Sequence, residues 1–136
     1  MAADPRLANV AASTANNAIT ALIDATGAGS AVFYTGTIPT NANTALGAQV
    51  ALSTVTFSAD SFGTSADGIS TAATITGSTA GAAGTATWAR WYGGDGGTVL
   101  DCTVGTAGED INFNSNIFSV GASVDVTALT ITVPKT

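Results

Sequence analysis

The spacing of apolar positions changes once along the chain. Leu7, Val10, Ala11, Ala15, Ala18, Ile19, Leu22 and Ile23 recur at three- and four-residue intervals. Asn9, Asn16, Asn17, Thr20 and Asp24 fall on the other side. This pattern predicts one amphipathic helix. Asp4 is its expected cap and Pro5 its first helical position, where a missing N–H costs nothing. Gly27 and Gly29 are expected to stop it. The apolar stripe is narrow and rich in Ala, which suits close approach to a flat surface. Such a helix either packs on its own domain or serves as an arm docked on a neighbouring subunit.

From Ser30 onward the period is two. Ala31 to Thr35 is a run of β-formers that ends at the loop signal Gly36-Thr37-Ile38-Pro39-Thr40-Asn41. Leu46, Ala48, Val50 and Leu52 alternate with small or polar residues, and Val55 and Phe57 continue on the opposite parity. The slip near Ser53 predicts a β-bulge. A loop from Asp60 to Gly68 follows, with Phe62 as its anchor. Ile69, Thr71, Ala73 and Ile75 give another alternating stretch, and 77–84 is a low-complexity loop. Thr85 to Tyr92 places Trp88 and Tyr92 on one face and Trp91 on the other. Gly93-Gly94-Asp95-Gly96-Gly97 is a strong hairpin turn, since these residues tolerate positive φ. Val99 to Val104 is the return strand. Ile111 with Phe113, Ile117 to Val120, and Val124 to Val133 supply the rest, with Pro134 closing the last.

About seven or eight strands at this spacing, with no helical pattern between them, exclude a parallel α/β sheet. The expected fold is mainly β: an antiparallel β-sandwich, jelly-roll-like, with one N-terminal α-helix. Residues 1–29 form the helix or arm and 30–136 the sandwich, as one domain overall.

Composition then narrows the function. Only 9% of the 136 residues are charged and the formal net charge is −6, against roughly 25% charged in an average domain. Arg6, Arg90 and Lys135 are the only cations. They cannot form the basic patch that nucleic acid or an anionic membrane needs. The Thr-, Ser- and Ala-rich surface loses little side-chain entropy when covered, which favours extensive protein contact. No apolar run is long enough to span a membrane, and the start Met1-Ala2-Ala3-Asp4-Pro5-Arg6 lacks the pattern of a secretory signal. Synthesis in the cytoplasm as a soluble protein is expected.

Chemistry has few places to reside. The chain has no His, which removes the usual general base and every Ser-His-Asp arrangement. Cys102 is the single cysteine, with no His to activate it and no disulfide partner. Asp60 with Asp67, or Glu109 with Asp110, are the only carboxylate pairs worth proposing for hydrolysis. Asp95 and the Glu109-Asp110 pair are conceivable calcium ligands, but no D-x-D-x-D-G loop is present. No Gly-rich stretch has the form of a phosphate loop. The expectation is therefore no catalytic residue, no cofactor and no metal. Surface anchoring falls instead to Leu7, Val10 and Ile19 on the helix and to Tyr34, Trp88, Arg90, Trp91 and Tyr92 on the aromatic strands. Because Trp88 and Trp91 alternate faces, at least one points away from the core unless both faces are buried.

Three phrases carry a resemblance. They are Phe33-Tyr34-Thr35-Gly36-Thr37-Ile38-Pro39, then Asp95-Gly96-Gly97-Thr98-Val99-Leu100-Asp101-Cys102-Thr103-Val104-Gly105-Thr106, and finally Val124-Asp125-Val126-Thr127-Ala128-Leu129-Thr130-Ile131-Thr132-Val133-Pro134. With the helix-then-strands order, they resemble small virion proteins of tailed bacteriophages, in particular the capsid cement or head decoration proteins. In many members a Gly follows the aspartate of the second phrase, where this chain has Cys102. The resemblance implies a jelly roll that binds over the joints of the capsid shell. It implies a homo-oligomer, a major capsid protein as partner, and a place on the capsid exterior of the virion. It carries over no binding residue. Rival expectations are a tail or baseplate component, a carbohydrate-binding β-sandwich using Trp91 or Tyr92 as a stacking platform, and a carboxylate-pair enzyme.

Overall fold

The computed structural model describes residues 5–135. In chain order it forms α1 (Asn9–Ile23), β1 (Ser30–Tyr34), β2 (Ala51–Thr56), β3 (Ile69–Thr71), β4 (Ser78–Thr79) and β5 (Gly84–Thr85). There follow β6 (Trp88–Tyr92), β7 (Thr98–Gly105), β8 (Ile111–Asn112), β9 (Ile117–Phe118), β10 (Ser123–Val124) and β11 (Thr130–Thr132). The fold is mainly β with one helix among the described residues, as a β-sandwich with an N-terminal helix requires.

A five-stranded sheet of order β2-β1-β6-β7-β8 is the largest unit. Its pairs are antiparallel except the last, where Val104 lies opposite Ile111 on a parallel β8. The sheet curls beyond β2: Thr56 and Thr76 exchange backbone hydrogen bonds of 3.0 and 2.8 Å, and Gly81 N donates to Leu52 O at 2.8 Å. Three two-stranded pairs, β4–β10, β3–β11 and β5–β9, complete the walls. Ala31, Phe33, Val55, Ala89 and Trp91 line the inner face of the large sheet. They meet Phe57, Phe62, Phe118, Val124, Leu129 and Ile131 in one apolar core.

The bulge at Ser53 is present. Phe33 pairs with Ser53 but Tyr34 pairs with Ala51, so Leu52 is the extra residue and both Leu52 and Ser53 are buried. The turn after β6 is also present: Gly93 N donates to Gly97 O at 2.8 Å, and Gly96 has φ +83. Its glycines have a second purpose that turn chemistry did not announce. A Cβ on Gly94 would clash with Gly27 O, and one on Gly93 with Leu22 O. The hairpin thus sits directly against the end of α1, where Gly94 N donates to Ile23 O at 3.1 Å and satisfies an orphan helix carbonyl.

Four expectations are corrected. The helix begins at Asn9, not at Pro5; Ala8 occupies the cap position in extended conformation without a side-chain cap. Asp4, the expected cap, lies outside the described residues. The stretch from Leu46 to Val50 is loop rather than strand. There β1 has ended, so the pairing stops with Thr35 N donating to Val50 O at 3.0 Å. The parity after Gly68 is reversed: Ser70 is buried and Ile69 is exposed. Finally, the buried side of α1 is rotated away from the apolar stripe: Asn16 and Thr20 are buried with Ala12 and Ile23, while Val10 and Leu22 are exposed, for reasons that lie in its contacts.

Candidate functional site

The helix turns polar side chains inward. Asn16 is fully buried; its Nδ2 donates to Gly68 O at 2.6 Å and Ile131 O at 2.8 Å, and its Oδ1 accepts from Ser70 Oγ at 2.9 Å. Ser13 Oγ accepts from Gly68 N at 3.1 Å, Asn17 Oδ1 from Ser65 N at 2.9 Å, and Asp24 Oδ1 from Ser61 N at 2.9 Å. The 61–70 segment is largely loop, and its amides need partners. The helix provides them, and that requirement outranks the burial of its apolar stripe. Ala12 and Ile23 are its only fully buried apolar residues, with Ile19 half-buried against the core.

The other side faces solvent. Val10 is 74% exposed, Leu22 58% and Leu7 39%, with Ala11, Ala15 and Ala18 exposed between them. Leu7 precedes the helix; Ala11, Ala15, Ala18 and Leu22 follow one another along one side of it at three- and four-residue intervals, and Val10 lies at the border of that side, at the start of the helix. This is an apolar ridge of the kind that monomeric proteins seldom leave bare.

The aromatic strands are covered on both faces. Outside the large sheet, Trp88 is fully buried and stacks on Tyr34 with ring centroids 4.6 Å apart and planes 17° from parallel. Its indole N–H donates to Thr35 O at 3.1 Å. Arg90 lies over the same ring, 5.4 Å from its centroid. Arg90 Nε and Nη2 reach Asp101 Oδ1 and Oδ2 at 2.7 and 2.9 Å, while Nη1 donates to Thr44 O at 2.9 Å. Through Thr44, the 35–50 segment is tied down over this set. Tyr34 and Tyr92 join their hydroxyls at 3.0 Å. Burial, then the bond to Tyr92, pushes the Tyr34 phenol well above its ordinary pKa. The hydrogen bonds that Arg90 donates to Asp101 raise the pKa of its guanidinium above the ordinary value, against the opposing effect of burial. On the inner face Trp91 stacks on Phe62 at 5.9 Å and 17°.

Of the eight candidate anchors, Tyr34, Trp88, Arg90 and Trp91 are therefore buried within the chain, Ile19 and Tyr92 are half-buried, and Leu7 and Val10 are exposed. The structure does not gather them into one patch. A buried Trp91 offers no stacking platform for a sugar. Leu22, which the sequence placed on the same stripe but not among the anchors, is the strongest addition. Arg90, a residue able to pair with a carboxylate or to stack on a ring, does both here, with Asp101 and Trp88. The pair follows from the hairpin, whose register sets Arg90 directly opposite Asp101.

The carboxylates have local tasks. Asp95 Oδ1 accepts from Gly97 N at 2.9 Å inside the turn. Asp110 Oδ2 accepts from Thr103 N at 2.9 Å and Thr103 Oγ1 at 3.1 Å, closing the turn into β8. Among the described residues, no three His, Cys, Asp or Glu side chains gather as a metal site would need. Cys102 is buried and burial pushes its thiol up to about 12, so it stays protonated at neutral pH. No helix of the described residues is long and apolar enough to cross a membrane.

Comparison with known proteins returned no family model, no curated protein and no solved structure that matches the chain.

Proposed function

We propose that this protein is a structural component of a larger assembly: a cement protein that binds copies of itself and a major capsid protein on the outside of a tailed-bacteriophage head. The observation that carries the reading is the apolar ridge of Leu7, Val10 and Leu22 on a helix whose polar side is used internally. A helix arranged this way is anchored to its own domain and offers apolar surface to another. The weakly charged, hydroxyl-rich exterior supports the same reading, since covering it orders few long side chains. Repetition by symmetry would then turn modest single contacts into firm attachment. The jelly-roll-like course of the strands and the virion location belong to this proposal and rest on the resemblance of the three phrases; the absence of catalysis belongs to it too and rests on the missing His.

The test is electron microscopy of phage particles carrying labelled protein, with the mass of the purified protein measured alone and with capsid shells. The proposal expects an oligomer in solution and label over the head. Label confined to the tail would replace it with a tail or baseplate role. A strict monomer that ignores shells would end it.

A further inference from the structure

One side of the sandwich is open. A cleft of about 250 Å³ lies between β7 and β11, floored by Trp91, Leu100, Cys102 and Ile131. It shares Asp110, Ile111 and Leu129 with a neighbouring cleft of about 130 Å³, which reaches Asp125 and Val126. That one shares Phe113 and Asp125 with a third, of about 350 Å³, which ends at Ile117 and Ser123. The three form one groove between the β7–β8 edge and the 123–132 segment.

Both walls present unpaired main chain. Val104 N donates to Thr87 O at 3.0 Å, so even-numbered β7 residues there bond towards β6 and the main chain of Asp101 faces the groove. Phe113 N donates to Gly105 O at 2.9 Å, which turns the main chain of Asn112 away from β7. On the other wall, Leu129 O accepts from Ala72 N at 2.9 Å and Val133 N donates to Gly68 O at 2.8 Å. The intervening Thr130 and Thr132 therefore direct their main chain away from β3. The main chains of Val126, Thr127 and Ala128 form no hydrogen bond with the rest of the described chain. In the floor, the buried indole N–H of Trp91 has no partner beyond the neighbouring thiol of Cys102.

We infer that this groove receives an extended peptide segment of a partner protein, added as a strand between the two edges, with apolar residues alternating with Lys or Arg. Strand addition draws affinity from main-chain bonds and selectivity from alternate side chains. Side chains on one side of the added strand meet the apolar floor, and those on the other side meet the rim. The rim carries Asp110 and Asp125, and no Lys or Arg lines any part of the groove. That complementarity selects a cationic occupant over a second copy of this acidic chain, whose net charge is −6. Two open edges are a liability unless something closes them. The inference does not rest on the assembly being a capsid.

The test is an amide NMR titration of the whole chain at low salt with a ten-residue peptide of alternating Val and Lys, capped at both ends. The expected shifts centre on Asp101, Asn112, Thr130 and Thr132, and they weaken as salt is added. Two control peptides bind at least about tenfold less tightly: one with Glu in place of Lys, and one of unchanged charge but N-methylated on alternate residues, which removes main-chain donors. Asp125→Asn weakens the Val-Lys peptide about two- to fivefold, the range of one exposed charge pair. Absence of binding at millimolar peptide, or equal binding of the N-methylated peptide, would overturn the inference. So would concentration-dependent shifts at the same amides without peptide, which would assign the groove to a second copy.

Discussion

Asn16 and Ser70 lie fifty-four residues apart in the chain and meet in the interior, Ser70 Oγ donating to Asn16 Oδ1 at 2.9 Å. With the two carbonyls that Asn16 also serves, this contact fixes which side of α1 faces inward. Asn16→Leu would make the helix more apolar and yet leave these groups without partners. The expected cost is about 2–4 kcal/mol in urea unfolding. Ser61→Ala is the contrasting case. The Ser61 hydroxyl is buried with no partner, so its removal leaves stability unchanged or raises it by up to about 1 kcal/mol.

The ridge on the far side of the helix predicts a separation between folding and association. Val10→Lys with Leu22→Lys changes exposed side chains only, so the unfolding free energy stays within about 0.5 kcal/mol of the parent. Sedimentation of the same variant is expected to show loss of the oligomer. An oligomer that survives both charges would remove the ridge from the assembly interface.

The Arg90–Asp101 pair predicts a large cost for breaking it and a small one for replacing it. Both side chains are almost fully buried. Asp101→Ala strands the guanidinium over Trp88 and is expected to cost about 3–5 kcal/mol. Arg90→Met combined with Asp101→Leu removes both charges and should recover most of that loss. A double-mutant cycle in denaturant measures the coupling.

Cys102 predicts a pH dependence of definite sign. Burial raises its pKa from 9.0 to about 12 in the folded chain. Unfolding therefore releases the proton more readily than the native state does. The contribution is fully present below about pH 9 and is lost as pH rises towards about 12. At pH 8 a thiol reagent should modify the native protein about a hundredfold or more slowly than the urea-unfolded one. Cys102→Ala should flatten the alkaline loss of stability in part, with the Tyr34 phenol contributing in the same direction.

The features legible in the sequence were those written in local chemistry. The 93–97 turn needs only its glycines and Asp95, and the bulge at Ser53 shows as a parity slip between Leu52 and Val55. Phe62 stands out as a large aromatic in a polar loop, and it is buried against Phe57 and Trp91. The orientation of α1 was not legible. It depends on amides at Ser61, Ser65 and Gly68 that lack sheet partners, and no pattern within 9–23 reports that need. The reversed parity of Ile69 and Ser70 has the same cause. The sequence leaves open whether Trp88 or Trp91 faces outward for a related reason: the 35–50 segment that covers Trp88 is loop, and its alternation from Leu46 to Val50 reads as a strand instead of a cover. The candidate site suffered most, because buried aromatics and interface aromatics have the same composition. The groove walls were invisible, since unpaired main chain leaves no mark on side-chain type.

Leu7 N donates to Lys135 O at 2.8 Å, and Lys135 Nζ donates to Asn9 Oδ1 at 2.8 Å. Residues near opposite limits of the sequence are thus stitched side by side. The two bonds couple the lead-in to α1 with the segment that follows β11, so that release of either one frees the other.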